Sequence, residues 1–279
     1  MSSASPGRTL ARRFGAACVF ALGLGPVGCR QLSAPPVPRC PPLPDGGAVF
    51  FVGNSFLGWE NRRLPDWVAA VGTASDPPVA IEVGHDVVFG DTPLRDFLDH
   101  PETRQALASG KYDVFVLQGH ELEAVDDPEG FHQAVRDFDR AVEAAGGKTV
   151  LFMTWDFPWR PFIDEVAASY DDIGRQLDIL VIPAGLVYED CRRDPPSGKP
   201  ARWLTANAEN PEGDLHPNAA GAAANAYVTF AVLTGRDPRG VRFTAEGNDN
   251  AAADLDELAA KAWARAQQRV LPTGGPTSP

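Results

Sequence analysis

The sequence is poor in positive charge. It has 25 Lys and Arg residues against 37 Asp and Glu residues, which gives a formal net charge of −12 at pH 7. The acidic residues are spread along the chain between Asp45 and Glu257. A nucleic-acid-binding protein needs basic side chains that neutralise phosphates, and this composition offers no such surface. We therefore expect no nucleic-acid partner.

Long apolar runs are also missing. The apolar stretch 14–27 is shorter than the roughly 20 residues that a membrane-spanning helix needs. Arg8, Arg12 and Arg13 precede it, and a basic segment followed by a short apolar one is typical of a signal peptide. We predict that residues 1–28 are a signal peptide and that the protein is exported.

The end of this segment resembles the lipobox of bacterial lipoproteins. Gly28 is a small residue directly before Cys29, although Pro26 stands where Leu is usual. We predict that Cys29 is lipidated and anchors the protein to a membrane; the alternative is cleavage nearby and secretion. Residues 29–47 contain six prolines and are expected to form a semi-rigid tether.

Cysteine is scarce, with four in the chain. Cys18 lies in the predicted signal peptide, and Cys29 is the predicted lipidation site, so Cys40 and Cys191 remain. Disulfides persist in exported proteins. We predict that Cys40 and Cys191 pair, with two unpaired thiols as the alternative.

Metal-ligand spacings are absent from the histidine pattern. His85, His100, His120 and His132 do not form a ligand spacing with cysteines or a carboxylate pair. We expect surface or loop positions for them, and neither a metal nor another cofactor. His120 stands apart because it follows a predicted strand at the edge where a site would lie.

Residues 48–271 read as one domain in which apolar strands alternate with helices, and the tail 272–279 is expected to be disordered. This alternation predicts a central, mostly parallel sheet with helices on both faces, a three-layer α/β/α sandwich. The predicted loops include 84–93, which holds His85, and 189–213. The predicted strands are 49–52, 79–83, 112–118, 149–154 and 179–182, and the predicted helices are 64–71, 94–109 with a break at Pro101, 131–145, 163–177, 219–233 and 254–270.

The first strand ends in a polar turn. The run FVGNSF at 51–56 is apolar up to Gly53 and is followed by Asn54 and Ser55. In open α/β sheets the carboxyl ends of the strands form the site, so Ser55 is a candidate nucleophile. The alternative interpretation is that Asn54 or Ser55 only caps the next helix.

A second motif precedes the helix 219–233. Here Asp214, His216, Pro217 and Asn218 follow Gly213. A histidine beside an acid can act as a general base that the carboxylate holds in place. The alternative is that Asp214 or Asn218 caps the helix and that His216 is a solvated loop residue.

Together these motifs resemble the SGNH, or GDSL-like, hydrolase family over residues 49–238, in particular the branch whose first block reads Gly-Asn-Ser-Phe. The resemblance implies a flavodoxin-like fold, Ser55 as nucleophile and His216 as base. It also implies an oxyanion hole formed by the backbone N–H groups of Ser55 and Gly90 and by the Gln118 amide. Gly84 is the alternative to Gly90.

Two features depart from the family pattern. Asp214 lies two residues before His216 rather than three, so Asp214, Glu212 or a backbone carbonyl could orient the imidazole. Gln118 stands where most members have Asn. Trp155, Phe157 and Trp159 follow the strand 149–154, where they could floor a substrate cleft or close the core.

The function that the resemblance implies is a serine esterase that needs no cofactor and acts outside the cytoplasm. Its expected substrates are esters of small molecules or carbohydrates, with acetyl as the favoured acyl group. The membrane would be a partner only through the lipid anchor. The alternative is a lipoprotein that keeps the hydrolase fold but binds a glycan or a protein without catalysis.

Overall fold

A computed structural model describes Leu43 and residues 47–157, 160–206 and 214–269. Several predictions concern other residues and lie outside this description. They are the signal peptide, Cys29, Cys40, Trp159, Glu212 and the tail.

A five-stranded sheet forms the centre of the domain, with strand order β4-β1-β5-β6-β7 and every pairing parallel. A two-stranded antiparallel hairpin, β2 and β3, follows β1 in the chain. The strands are β1 Ala48–Gly53, β2 Gly58–Trp59, β3 Arg62–Arg63, β4 Glu82–Val87, β5 Val114–Leu117, β6 Lys148–Phe152 and β7 Leu180–Ile182.

The helices form two outer layers. The chain moves one way from β1 to β4 and the other way from β5 to β7, and right-handed crossovers then place helices on opposite faces. Accordingly α1 contacts α7 and α7 contacts α8, whereas α4 contacts α5. The helices are α1 Leu64–Ala74, α2 Pro101–Ser109, α3 Glu123–Asp126, α4 Pro128–Ala144, α5 Ile163–Leu177, α6 Ala184–Arg193, α7 Ala219–Thr234 and α8 Ala252–Arg269.

This architecture is the predicted α/β/α sandwich. Strand β1 is buried along its whole length, because it has a paired strand on each side and helices cover both faces of the sheet. Its continuous apolar sequence is typical of a parallel strand covered on both faces. No helix in the described part of the chain is both long enough and apolar enough to cross a bilayer.

The burial of helix α7 accounts for its many small and apolar residues. Nearly every residue of this helix is buried, so it is apolar all round. A Cβ on Gly221 would lie 2.2 Å from the carbonyl oxygen of Leu204, so only glycine permits this approach.

Leu43, within the predicted tether, is also buried, and its N–H donates to the Leu233 carbonyl at 2.6 Å.

Two element predictions were wrong. The second strand spans Glu82–Val87 rather than 79–83, so His85 lies in a strand and not in a loop. Among the described residues this edge strand pairs with β1 alone, and its polar residues Glu82, His85 and Asp86 interrupt the apolar pattern. The predicted loop 189–213 begins instead inside α6, where Glu189 pairs with Arg192 and Arg193 at helical spacing.

Candidate active site

The turn after β1 holds Ser55 at the carboxyl end of the central strand. The Asn54 N–H donates to Gln118 Oε1 at 2.9 Å, and Asn54 Oδ1 accepts the Phe56 N–H at 3.0 Å. A Cβ on Gly53 would lie 2.5 Å from Gln118 Oε1, so glycine is needed for this approach. Asn54 is therefore a cap, as the alternative interpretation proposed, and the same bonds present Ser55 at the sheet edge.

The His216 loop brings an imidazole to this serine from 161 residues away in the chain. Ser55 Oγ lies 2.8 Å from His216 Nε2. The Ala206 N–H donates to the His216 carbonyl at 2.8 Å, and Trp155 Nε1 donates to the Leu215 carbonyl at 3.1 Å. Both bonds anchor the loop, so His216 is not a freely solvated residue.

Asn218 caps the helix that follows. Its Oδ1 accepts the Gly221 N–H at 3.0 Å, while its Nδ2 donates to the carbonyls of Trp203 and Thr205. The cap thus belongs to Asn218, which leaves Asp214 available for the histidine.

Asp214 reaches His216 despite the short spacing. Its Oδ1 accepts the backbone N–H of His216 at 2.9 Å and also contacts the ring nitrogen Nδ1. A carboxylate that bonds the backbone two residues ahead forms an Asx turn, and this turn folds the acid back onto the imidazole. With the proton on Nδ1 facing the carboxylate, Nε2 can accept a proton from Ser55.

Two aromatic rings flank the imidazole. Trp59 in the β2–β3 hairpin stacks on His216, with ring centroids 3.5 Å apart and planes 9° from parallel. Phe56 meets the imidazole edge-on at 6.0 Å. Phe89 contacts the outer side of Trp59 at 5.9 Å and is itself 66% exposed. Sequence reasoning missed Trp59 and Phe89, although a Trp four residues after Ser55 was a usable signal.

The aromatic residues after β6 close the core. Trp155 is 1% exposed and stacks between Phe56, at 4.4 Å, and Tyr188, at 4.0 Å. Phe157 is also buried. Of the two interpretations offered for this stretch, core closure is the one that the described residues support.

The predicted backbone donors of the oxyanion hole are the N–H groups of Ser55 and of either Gly90 or Gly84, and the two glycines lie in different surroundings. The Ser55 N–H donates to no acceptor among the described residues. Gly90 is exposed, has φ +111°, and lies two residues past Val88, whose N–H donates to the Gly53 carbonyl at 3.1 Å. Gly84 lies inside β4 opposite Phe50, where a Cβ would meet the Tyr112 hydroxyl at 2.3 Å. Its position indicates packing, which leaves Gly90 as the better candidate.

Gln118 has a structural task in this turn. Besides accepting the Asn54 N–H, its Nε2 donates to the Gly119 carbonyl at 2.6 Å, and the side chain is 1% exposed. One N–H hydrogen of the amide remains for an oxyanion. Its role as a donor therefore stays a prediction.

A cluster of one histidine and two carboxylates adjoins the serine turn. His120 Nε2 lies 3.2 Å from Glu121 Oε2 and 3.3 Å from Asp91 Oδ1. Glu121 Oε2 also accepts a hydrogen bond from Asn54 Nδ2 at 2.9 Å. The three candidate ligand atoms lie within 4.8 Å of one another. These residue types can hold a divalent cation. The cluster brings His120, which the sequence had set apart from the other histidines, next to the serine turn, and the expectation that no metal is needed stays a prediction.

Glu123 supports the same edge of the site. Its Oε2 accepts the backbone N–H groups of Leu94 and His120, each at 3.1 Å. Burial raises the pKa of this carboxyl above its ordinary value, while the two hydrogen bonds act in the opposite direction.

The other histidines have structural partners. His132 is buried, with Nε2 2.9 Å from the Ser169 carbonyl oxygen, so its expected surface position was wrong. His100 Nδ1 lies 3.2 Å from the Asp86 carboxylate.

Cys191 is buried and has no disulfide partner among the described residues. Burial raises the pKa of this thiol to about 12. Its predicted partner Cys40 lies outside the described residues, so the disulfide stays a prediction.

Comparison with known proteins gives a likeness in structure only. No family model and no curated protein matches the sequence. A DUF4886 family protein from Bacteroides uniformis aligns with a TM-score of 0.59 at 14% identity, over 80% of this chain and 96% of its own. A candidate SGNH hydrolase from Slackia heliotrinireducens aligns with a TM-score of 0.52 at 19% identity, over 66% and 97%.

The acetylxylan esterase Axe2 from Geobacillus stearothermophilus is also similar. It aligns with a TM-score of 0.54 at 13% identity, over 71% of this chain and 98% of its own. At these identities the likeness shows the fold, which is the α/β/α sandwich of SGNH hydrolases.

Proposed function

We propose that this chain is an exported serine esterase that hydrolyses acetyl esters carried on carbohydrate. One observation carries the proposal. At the carboxyl edge of a parallel sheet, Ser55 Oγ lies 2.8 Å from His216 Nε2, and Asp214 contacts the opposite ring nitrogen. This is the arrangement of nucleophile, base and orienting acid that ester hydrolysis requires.

The first half of the reaction acylates the enzyme. His216 Nε2 accepts the Ser55 hydroxyl proton while Oγ attacks the ester carbonyl carbon, and the carbonyl oxygen becomes an oxyanion. The tetrahedral intermediate collapses when Nε2 returns this proton to the leaving alcohol. Asp214 stabilises the imidazolium that exists between these two steps.

The second half releases the acid. Nε2 accepts a proton from a water molecule, which attacks the acyl carbon and forms a second tetrahedral intermediate. The bond to Ser55 Oγ then breaks, and the serine recovers its proton from His216. The donors for both oxyanions are the backbone N–H groups of Ser55 and Gly90 and the Gln118 amide. Removing one such donor typically lowers the rate by about 100- to 1,000-fold.

The substrate class rests on two supports. Phe56 and Trp59 crowd the imidazole and favour a short acyl group. One protein of the same fold is described as an acetylxylan esterase. Export and lipidation of Cys29 are proposed from the N-terminal sequence.

The test is hydrolysis of p-nitrophenyl acetate by the purified full chain. Ser55→Ala and His216→Ala should each lower kcat by at least about 1,000-fold, because nucleophile and base act as one unit. A fluorophosphonate probe should label wild type at Ser55. The matched control is Ser109→Ala on α2, which should retain wild-type turnover. Absence of both turnover and labelling in wild type would favour the non-catalytic binding protein instead.

A further inference from the structure

A cavity of about 370 Å³ lies next to the candidate active site and contains none of its proposed catalytic residues. Its volume falls in the range of small-molecule sites. The β2–β3 hairpin, the first turn of α1, the end of β4 with Phe89, and the segment before α8 form its walls. Its lining includes Glu60, Asn61, Arg63, Asp66, Phe89 and Glu246.

A single aromatic ring separates this cavity from the imidazole. Phe89 lies on the cavity and meets Trp59 edge-on at 5.9 Å, and the face of Trp59 stacks on His216 at 3.5 Å. A substrate whose acyl group reaches Ser55 can therefore extend over Trp59 toward Phe89. The part that extends is the alcohol side of the ester, because the acyl side is held at the serine.

Phe89 offers an apolar platform at the cavity. Its side chain is 66% exposed, and among the described residues Phe89 is the large hydrophobic residue that is exposed to solvent. An isolated exposed Phe is ordinary, but one that lines a concave polar cavity is placed to contact a ligand.

The charged side chains of the lining already have polar partners, although the partner of Glu246 is a neutral amide. Arg63 Nε lies 3.0 Å from Asp66 Oδ2, and its Nη1 lies 3.4 Å from His85 Nε2. Glu60 pairs with Arg62, which does not line the cavity. Asn61 Nδ2 lies 3.4 Å from Glu246 Oε1.

This lining disfavours an anionic ligand. Three carboxylates, those of Glu60, Asp66 and Glu246, oppose an anion, and the guanidinium of Arg63 is already paired with Asp66. Hydroxyl groups can donate to the carboxylates and accept from Arg63 or Asn61 without breaking an ion pair. A sugar ring supplies such hydroxyls together with an apolar face for Phe89.

We propose that this cavity is the subsite for the sugar ring that bears the ester, with Phe89 and Glu246 as its specificity-determining residues. The subsite rests on the proposed esterase function for its biological use, but its binding of sugar does not depend on catalysis.

Binding is tested directly with unacetylated xylotriose and cellotriose, which an esterase does not consume. Calorimetric titration of the full chain should detect binding of one of them. Phe89→Ala should raise the Kd by about tenfold and Glu246→Gln by a smaller factor. The matched control is Glu102→Gln on α2, which should leave the Kd unchanged. Absence of binding, binding that neither cavity variant weakens, or binding of choline in place of both sugars would overturn the proposal.

Kinetics then connect the subsite to the reaction. With acetylated xylotriose, Phe89→Ala should lower kcat/KM about tenfold more than it does with p-nitrophenyl acetate. Equal losses on the two substrates would contradict a sugar subsite. If wild type hydrolyses neither ester, the esterase proposal fails, while the titration still decides whether the cavity binds sugar.

Discussion

Replacing Trp59 with leucine removes the aromatic face that covers the His216 imidazole. The ring centroids are 3.5 Å apart and the planes nearly parallel, so the indole lies directly over the imidazole. During catalysis the imidazole becomes an imidazolium each time it takes a proton. An indole face attracts a cation, and Trp does so more strongly than Tyr or Phe.

The size of the effect follows from the burial of the pair. Cation–π contacts are worth about 0.5–1 kcal/mol at exposed sites and about 2 kcal/mol when desolvated. Trp59 is half-buried and the His216 side chain is 23% exposed, which places this contact between the two limits. A stabilisation of about 1–2 kcal/mol in the transition state corresponds to a rate factor of about 5- to 30-fold.

The assay is kcat/KM for p-nitrophenyl acetate in Trp59→Phe and Trp59→Leu, measured beside wild type. We expect the order wild type, Phe, Leu, with the leucine variant lower than wild type by the factor above. Trp263→Leu on α8 is the matched control, since Trp263 also packs partly buried against the core, and among the described residues it has no ring contact with His216. Thermal melts of all variants separate loss of activity from loss of fold.

Two results would refute this reasoning. The first is a leucine variant within about twofold of wild type, which would mean that the ring contributes nothing to the charged state. The second is an equal loss in the Phe and Leu variants, which would assign the effect to the size of the indole rather than to its face.

Three further predictions concern residues around the site. Asp214→Asn should lower kcat by up to about 10⁴-fold and should also slow the fluorophosphonate labelling of Ser55, because the amide holds the wrong tautomer of His216; Asp249→Asn, a surface control, should retain activity. Gly53→Ala should lower both Tm and activity because its Cβ would strike Gln118, and a wild-type melt and rate would contradict the close approach. Burial raises the pKa of Glu123 in the folded state, so its protonated form stabilises the fold. This contribution to the free energy of unfolding is fully present below the ordinary pKa of about 4.3, and it is lost as the pH rises through the pKa of the folded state. Glu123→Gln should therefore weaken the pH dependence of the free energy of unfolding in that window, while the amide oxygen keeps the two backbone hydrogen bonds. Glu123→Leu should lower the free energy of unfolding by about 1–3 kcal/mol because it leaves two N–H groups unpaired. Urea titration measures both effects.

The helices and buried strands could be predicted because their signals are local. The predicted helix 163–177 has the bounds that the structure shows, since its apolar residues recur at helical spacing and face one core. The strand at Glu82–Val87 was misplaced because this edge strand carries polar residues that interrupt its apolar pattern. Helix α6 was hidden for a related reason. Its charged side chains pair with one another along the helix surface, so its polar end resembles a loop.

The residue types of the candidate site were likewise present in the sequence. A serine after a Gly-Asn turn and a histidine beside an acid, each next to a predicted element, were enough to select Ser55, His216 and Asp214 as candidates. The sequence left open which group contacts the imidazole, because the usual spacing is absent. An Asx turn places Asp214 there, and a turn of this kind depends on loop dihedral angles that the spacing does not show.

By itself, the sequence determined the alternation of strands and helices and the chemistry available at the strand ends, since both depend on neighbouring residues. Only the tertiary structure decided which of these groups meet. Ser55 and His216 are 161 residues apart, His120 and Asp91 are 29 apart, and the Phe89 cavity joins a hairpin, a strand end and a distant loop. Such contacts depend on sheet order and loop geometry, which follow from packing of the whole chain rather than from any one segment.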